Sequence, residues 1–202
     1  MMMLCILLLS ALTAISIAFS PNAGLTNTAL HRSSLSSTSL KMADEVKVGD
    51  KVPSVVLKEG QANYETPVDV NLSDLIAGKK VAIFAVPGAF TPGCSKSHLP
   101  SFITAQEELK AKGVDMTICI ATNDAYVMEA WGRTSGGAAA GIRFLSDANA
   151  ELSRALGLSI EGGVMVRTKR FSLIAEDGVV THYFSSANES SDTWAPNVLA
   201  AL

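Results

Sequence analysis

Acidic residues are absent from the first 43 positions of this chain, and Arg32 and Lys41 are the only lysine or arginine residues there. From residue 44 onward, 14 lysines and arginines and 19 acidic residues give a net charge of −5. This part of the sequence has no basic patch of the kind that binds a phosphate backbone. The charge distribution therefore argues against a nucleic-acid-binding protein, and we predict no nucleic-acid partner.

Cysteine is scarce as well, since Cys5, Cys94 and Cys119 are the only three in 202 residues. Three cysteines are too few for a disulfide framework, and we expect Cys5 to be removed with the leader described below. The remaining pair indicates a mostly reducing compartment. Cys94 and His98 are four residues apart, but a zinc site would need further ligands, and only Cys119 and His182 remain, without a tight ligand spacing. We predict neither a metal nor another cofactor.

The N-terminal segment lacks an apolar run long enough to span a bilayer, so we expect no stable membrane insertion. Residues 1–18 are typical of a signal peptide, and residues 19–41, rich in serine and threonine, are typical of a transit peptide. With Phe19 at the junction, this leader resembles the bipartite plastid leaders of algae with secondary plastids. We therefore expect a plastid (chloroplast) protein whose mature domain covers residues 42–202. Entry into the secretory pathway is the alternative.

The mature domain alternates strand and helix signals along the chain. Short apolar runs at Val81–Val86 and Asp115–Ala121 are typical of buried strands, and an amphipathic helix is expected between them. Near the C-terminus, Glu176-Asp-Gly178 lies between two apolar segments and indicates a hairpin. This order predicts an α/β protein with a thioredoxin-like fold, in which a mixed central sheet has helices on both faces.

The segment between the first of these strands and the helix carries the clearest chemical signal. It begins at Pro87, and its prolines and glycines predict a turn that leads to a helix start at Cys94. A thiol there lies near unpaired backbone N–H groups and the positive end of the helix dipole. Both stabilise a thiolate, which is the nucleophilic form. A buried, inert cysteine is the alternative, but such a turn is poorly suited to placing a core residue.

Residues 87–100 read Pro-Gly-Ala-Phe-Thr-Pro-Gly-Cys-Ser-Lys-Ser-His-Leu-Pro. This segment resembles the active-site motif of the type II (peroxiredoxin-5-like, plant type II) peroxiredoxins at every fixed position, and the resemblance extends from about Val48 to the C-terminus. It implies a thioredoxin-like fold and a thiol-dependent peroxidase that reduces hydrogen peroxide and organic hydroperoxides through a cysteine sulfenic acid. It also implies recycling by glutaredoxin with glutathione or by thioredoxin, and it suggests a homodimer.

Two alternative functions stay open at this point. A monothiol disulfide reductase would use the same cysteine, although Thr91 stands where a dithiol turn has its first cysteine. A peroxide-sensing redox relay would also use Cys94, but it would stop after oxidation until its partner arrived. Peroxide consumption, insulin reduction and sustained turnover separate these functions from a peroxidase.

The resemblance implies catalytic roles for Cys94, Thr91, Pro87 and an arginine. Cys94 would supply the sulfur, Thr91 a hydroxyl for the peroxide, and Pro87 an apolar shield against water. The family's arginine precedes an aromatic residue at the start of a late strand, and Arg170 matches that position, with Arg167 as the second choice. From the residues alone no choice is made among the five candidates Arg133, Arg143, Arg154, Arg167 and Arg170.

Cys119 lies 25 residues after Cys94 in an apolar run, so the residues alone predict a packed core thiol. Plant type II peroxiredoxins have their resolving cysteine at this position, so the resemblance implies that Cys119, or an external thiol such as glutathione, resolves Cys94. A strand cysteine cannot reach another whose Cα is more than about 7 Å away. We therefore expect the helix start at Cys94 to loosen for an internal disulfide. His98 is interpreted as a structural histidine outside the catalytic set.

Overall fold

A computed structural model describes residues 43–202 of the chain. The predicted leader segments, residues 1–18 and 19–41, lie outside the described residues, as does Met42 at the start of the predicted domain. Within residues 43–202, no helix has both the length and the apolar character needed to cross a bilayer.

The described part of the chain alternates strands and helices. The strands are β1 (Val56–Glu59), β2 (Val68–Asn71), β3 (Lys80–Ala85), β4 (Met116–Ala121), β5 (Ile142–Ser146), β6 (Ser159–Ile160), β7 (Arg167–Thr168), β8 (Phe171–Glu176) and β9 (Val179–Ser185). The helices are α1 (Leu72–Ile76), α2 (Leu99–Ala111), α3 (Ala125–Thr134), α4 (Glu151–Ala155) and α5 (Ala195–Ala201). A π-helical turn over Cys94–His98 leads directly into α2, and 3-10 turns lie at Ala62–Tyr64 and Ser190–Thr193.

Seven strands form one sheet in the order β2-β1-β5-β4-β3-β8-β9, and β6 pairs separately with β7. Strands β3, β4 and β5 are parallel, and the outer strands join them in antiparallel pairs. Because successive side chains of a strand point to opposite faces, Phe84 packs with α2, α3 and α5, while Ile83 packs with α1 and α4. The predicted mixed sheet with helices on both faces is confirmed.

The central strand β3 determines where the Cys94 segment starts. Every residue from Val81 to Val86 is at most 2% exposed, as expected for a central strand covered by helices on both faces. In the antiparallel pairing of β3 with β8, Ala85 is opposite Phe171. The residues after Val86 therefore leave the sheet beside the residues that precede β8.

The helix after this segment begins with a wide turn. The N–H of Leu99 donates to the carbonyl of Cys94, five residues earlier, which is the pattern of a π turn. Pro100 has no N–H to donate, and its ring would crowd a carbonyl four residues earlier. A proline at this position can either kink the helix or delay its regular part. The structure shows the delay, because α2 begins at Leu99 with Pro100 in its first turn.

Asp147 is a buried carboxylate that holds the start of α4. It accepts hydrogen bonds from the N–H groups of Leu152 at 3.1 Å and Ser153 at 2.9 Å, and from the Ser153 hydroxyl at 2.7 Å. Burial raises the pKa of Asp147, and these hydrogen bonds act against that rise. Aspartate is a favoured residue at a helix start, and the side chain of Asp147 satisfies N–H groups of the first turn.

Replacing Asp147 with alanine should lower the free energy of unfolding by about 2–3 kcal/mol, because buried donors lose their acceptor. Urea denaturation followed by circular dichroism measures the loss. Asn149→Ala is the matched control, since Asn149 is exposed two residues away, and it should cost less than about 0.5 kcal/mol. Equal stability of the two variants would contradict the capping role.

Candidate active site

Cys94 is the first residue of the π turn, and its thiol is free and 0% exposed. The N–H of Ser95 donates to the carbonyl of Thr91 at 2.9 Å, which closes the preceding residues into a turn. The sulfur therefore lies at the N-terminal end of the helix, where the sequence predicted it. Backbone N–H groups in such a first turn have no partner within the helix, and they favour negative charge nearby.

Arg170 contacts the sulfur directly. Its Nη2 donates a hydrogen bond to Cys94 Sγ at 3.1 Å. The sheet explains the contact, because Phe171 pairs with Ala85 at the end of β3, and the residue before Phe171 then lies beside the segment that leaves β3. A guanidinium group in this position stabilises negative charge on the sulfur.

The other arginines considered from the sequence do not reach Cys94 Sγ. Three of them form ion pairs elsewhere on the domain, Arg133 with Glu129, Arg143 with Glu59, and Arg154 with Glu161. Arg167, the second choice, donates from Nη1 to the Pro87 carbonyl at 2.6 Å. Neither Arg167 nor Arg170 forms an ion pair within residues 43–202. Both arginines are therefore directed at the Pro87–Cys94 segment.

His98 is 0% exposed and holds Arg170 from the other side. Arg170 Nη1 lies 2.9 Å from His98 Nδ1, and a guanidinium can only donate, so Nδ1 accepts. The proton is therefore on Nε2, which donates to the Thr193 carbonyl at 3.0 Å. Burial, and then the charge of Arg170, lowers the pKa of His98 to about 3. The sequence predicted a structural histidine here, but its contact with Arg170 was not foreseen.

The Pro87–Thr91 residues form the wall of the site. The Thr91 hydroxyl donates to the Gly88 carbonyl at 2.9 Å, and Pro87 is half-buried. A Cβ added at Gly88 would lie 2.5 Å from Arg167 Nη1, so a side chain fits there only if the guanidinium moves. The glycine thus lets Arg167 lie against the backbone of this segment.

Asn123 is a residue of the site that sequence reasoning missed. Its Oδ1 accepts from the N–H of Ala89 at 2.8 Å, and its carbonyl accepts from the Ser146 hydroxyl at 2.6 Å. Asn123 and Asp124 both precede α3, and either residue type can cap a helix. Only Asp124 does so, accepting from the N–H of Val127 at 3.0 Å. Asn123 instead ties the loop before Cys94 to the ends of β4 and β5.

Cys119 lies on β4 and is 0% exposed. Its neighbours across the sheet are Phe84 on β3 and Phe144 on β5. Burial, and then the nearby charge of Cys94, raises the pKa of the Cys119 thiol well above its ordinary value. Both cysteines are free thiols, with no disulfide between them. The thiol is packed in the core, as the residues alone predicted.

Comparison with known proteins decides the family. Residues 47–202 match the family model described as Redoxin. The chain belongs to the redoxin family. Its relatives include Peroxiredoxin-2E-2, chloroplastic, of Oryza sativa subsp. japonica, which is 46% identical over 145 residues, covering 67% of this chain and 62% of the rice protein. Peroxiredoxin-2B of Arabidopsis thaliana is 40% identical over 161 residues, covering 78% of this chain and 98% of that protein. The predicted type II peroxiredoxin is confirmed.

Solved structures agree with this assignment. Reduced Prx3 from Vibrio vulnificus, in complex with hydrogen peroxide, matches with a TM-score of 0.71 and 38% identity over 77% of this chain and 98% of that one. Peroxiredoxin 5 from Alvinella pompejana matches with a TM-score of 0.66 and 30% identity over 77% and 97%. The thioredoxin-like fold predicted from the sequence is confirmed. The chain spans about three fifths of the chloroplastic relatives from rice and Arabidopsis, 62% and 59% of their lengths.

The lowered pKa of His98 makes stability depend on pH. Because its folded value of about 3 lies below the ordinary 6.5, the unfolded chain binds a proton between these values that the folded chain does not. The free energy of unfolding should therefore fall as pH decreases from 6.5 toward 3. His98→Gln should reduce the slope of the free energy of unfolding against pH by up to about 1.4 kcal/mol per pH unit.

Urea denaturation at several pH values between 4.5 and 7.5 measures how steeply the free energy of unfolding depends on pH in the native protein and in His98→Gln. His182→Gln is the control, because it removes a half-buried histidine on β9 that does not contact Arg170 in the structure. It should leave most of the native slope in place. A His98→Gln protein with the native slope would show that His98 is not buried as a neutral group.

Proposed function

We propose that this chain is a thiol-dependent peroxidase that reduces hydrogen peroxide and organic hydroperoxides with the thiol of Cys94. The observation that supports this most strongly is the 3.1 Å hydrogen bond from Arg170 to a sulfur with no exposed surface. A permanent cation beside the sulfur stabilises negative charge on it and can also bind a peroxide oxygen. Membership of the redoxin family supports the same activity.

In the proposed reaction the Cys94 thiolate attacks one oxygen of the peroxide. An S–O bond forms and the O–O bond breaks, so the sulfur loses two electrons and becomes a sulfenic acid. The other oxygen leaves with the electron pair of the broken bond and takes a proton, which gives water or an alcohol. Negative charge thus moves from the sulfur to the leaving oxygen, and Arg170 is the nearest cation available to stabilise it.

Thr91 and Pro87 complete the proposed pocket. The Thr91 O–H donates to the Gly88 carbonyl, so the lone pairs of its oxygen are available to accept from the O–H of a peroxide. Pro87 supplies an apolar surface that limits the access of water. Arg167 holds that surface in place through its bond to the Pro87 carbonyl.

A second thiol must then reduce the sulfenic acid. We propose Cys119 as the resolving cysteine, with an external thiol such as glutathione as the alternative route. The attacking thiol forms an S–S bond with Cys94 and the oxygen leaves as water. Electrons for the next cycle would come from glutaredoxin with glutathione or from thioredoxin. Because Cys94 is 0% exposed, an external thiol can reach it only when the helix start opens. We expect the same opening for the internal disulfide.

The proposed assembly is a homodimer, as the resemblance to type II peroxiredoxins suggests.

The proposed location is the plastid. The names of the rice and Arabidopsis relatives include the word chloroplastic, and the composition of residues 19–41 is typical of a transit peptide. Import of a fusion between residues 1–41 and a fluorescent protein tests the location.

Peroxide consumption by the native protein and two cysteine variants tests the activity. Cys94→Ser should abolish consumption with either reductant, because it removes the nucleophile. Cys119→Ser should still form the sulfenic acid and turn over with glutathione and glutaredoxin, but it should lose turnover with thioredoxin. A native protein that reduces insulin without consuming peroxide would be a disulfide reductase, and one that stops after a single oxidation would be a redox relay.

Non-reducing mass spectrometry after one equivalent of peroxide tests the resolving role. The native protein should contain a Cys94–Cys119 disulfide. A glutathione adduct on Cys94 in its place, with glutathione present, would refute the internal route and leave the peroxidase activity intact.

Replacing Arg170 tests whether its guanidinium group is needed for the reaction at Cys94. Arg170→Lys keeps a positive charge but loses the planar group that donates to both Cys94 and His98. We expect kcat/KM for hydrogen peroxide to fall by about 100-fold or more, with little change in stability. Arg154→Lys is the matched control at an exposed ion pair with Glu161, and it should have native activity. A native rate for Arg170→Lys would contradict the proposed role.

A further inference from the structure

Trp131 connects α3 to the turn that carries Cys94. The indole is 1% exposed, and its Nε1–H donates a hydrogen bond to Ser95 Oγ at 3.1 Å. Ser95 directly follows Cys94 in the π turn. The bond therefore joins a side chain fixed in the core to the first residues of the helix, which are the residues that must move when Cys94 meets a second thiol.

The other side of the indole meets the neighbourhood of Cys119. Trp131 contacts Phe144 edge to face, with ring centroids 5.7 Å apart and an interplanar angle of 84°. Phe144 is the residue opposite Cys119 in the β4–β5 pairing. One side chain thus contacts the residue beside each cysteine, although neither contact involves a reacting atom.

Opening of the turn decides the fate of an oxidised Cys94. In the closed turn the sulfur has no exposed surface, so an external thiol, which is bulkier than a peroxide, cannot reach the sulfenic acid. We expect Cys119 to attack only after the turn opens, because a disulfide needs the two Cα atoms within about 7 Å. A second peroxide molecule that reaches the closed site would oxidise the sulfur by two more electrons to the sulfinic acid and leave as water or an alcohol. Frequent opening favours the disulfide, and rare opening favours the sulfinic acid.

We propose that Trp131 is a positioning residue whose hydrogen bond to Ser95 holds the Cys94 turn closed and so sets the balance between resolution and overoxidation. The inference rests on the proposed peroxidase function. A cavity of about 260 Å³ borders the bond and is lined in part by Phe90, Ser95 and Trp131, so the released turn has space on this side. Phe90, at a positive φ of 60°, also lies over the indole at a centroid distance of 6.5 Å.

The strength of one hydrogen bond sets the size of the expected effect. A neutral hydrogen bond contributes modestly to stability, so its loss should raise the population of the open turn about 2- to 10-fold. In Ser95→Ala the buried indole N–H also loses its acceptor in the closed turn only, which shifts the equilibrium in the same direction.

The first experiment measures opening without peroxide. In a Cys119→Ser background, Cys94 of the reduced protein is trapped with an aromatic disulfide reagent, and the second-order rate is recorded. Ser95→Ala and Trp131→Phe should each raise this rate about 2- to 10-fold. Ser95→Thr keeps the hydroxyl and should react at the native rate. Ser97→Ala should do the same, because the Ser97 side chain, in the same turn, makes no hydrogen bond within the described residues.

The second experiment measures the outcome with Cys119 present. Peroxide is titrated in the presence of reductant, and the ratio of disulfide to sulfinic acid at Cys94 is read by mass spectrometry. Ser95→Ala should need a higher peroxide concentration than the native protein for the same sulfinic fraction. Ser97→Ala should follow the native curve.

The outcomes separate this inference from the proposed function. The proposed role of Trp131 is wrong if Cys94 is trapped at the same rate in Ser95→Ala and Ser97→Ala. It is also wrong if Ser95→Ala forms sulfinic acid more readily than the native protein, whatever the peroxidase rate. If the Cys119→Ser protein forms no sulfenic acid that dimedone can label, the peroxidase proposal fails, and the trapping rates still report on the turn. Should Trp131→Phe fail to fold, Ser95→Ala decides alone, since it leaves the indole in the core.

Discussion

The hydrogen bond between Arg170 and Cys94 is the interaction on which the site depends. Taking a guanidinium out of water costs free energy unless an opposite charge or hydrogen bonds replace the lost solvent. Within the described residues Arg170 has no carboxylate partner, and its recorded side-chain bonds go to the sulfur of Cys94 and the ring of His98. The imidazole is neutral, so the sulfur is the contact whose negative charge can balance the cation. A negative charge on the sulfur and the cation would therefore stabilise each other.

Hydrogen bonds of His98 and of the Thr193 carbonyl fix the position of Arg170 beside Cys94. The Thr193 carbonyl accepts from His98 Nε2, which leaves Nδ1 free to accept from Arg170. Ser172 donates to the same carbonyl at 2.6 Å. The chemistry at Cys94 thus depends on the backbone just before α5, almost 100 residues later in the chain. A change in the C-terminal segment can alter the sulfur's environment through these hydrogen bonds alone.

Local signals explain which features could be predicted from the sequence. The apolar run of β3, the proline- and glycine-rich turn and the cap at Asp147 depend on nearby residues, so composition and spacing reveal them. Arg170 is different, because five arginines look alike in the sequence and the pairing of Ala85 with Phe171 selects one of them. Only the family resemblance made that choice in advance.

The unforeseen features involve residues far apart in the chain. Asn123 reaches Ala89 across 34 positions, and Trp131 reaches Ser95 across 36. Such bonds follow from the packing of α3 and the loops against the sheet, and no periodicity in the sequence encodes them. The π turn likewise arises at the boundary between the Cys94 turn and Pro100, where the sequence could indicate only that the helix would be irregular.

The close fit between Gly88 and Arg167 has a consequence for protein engineering. A methyl group at position 88 would crowd Arg167 Nη1 at 2.5 Å, and the end of a long side chain is the cheapest part to displace. The added carbon would therefore push the guanidinium away from the Pro87 carbonyl, and it would also press on Thr91 Cγ2 at 3.2 Å. A library that varies position 88 should therefore vary position 167 as well, so that a smaller side chain there can make room for the added carbon.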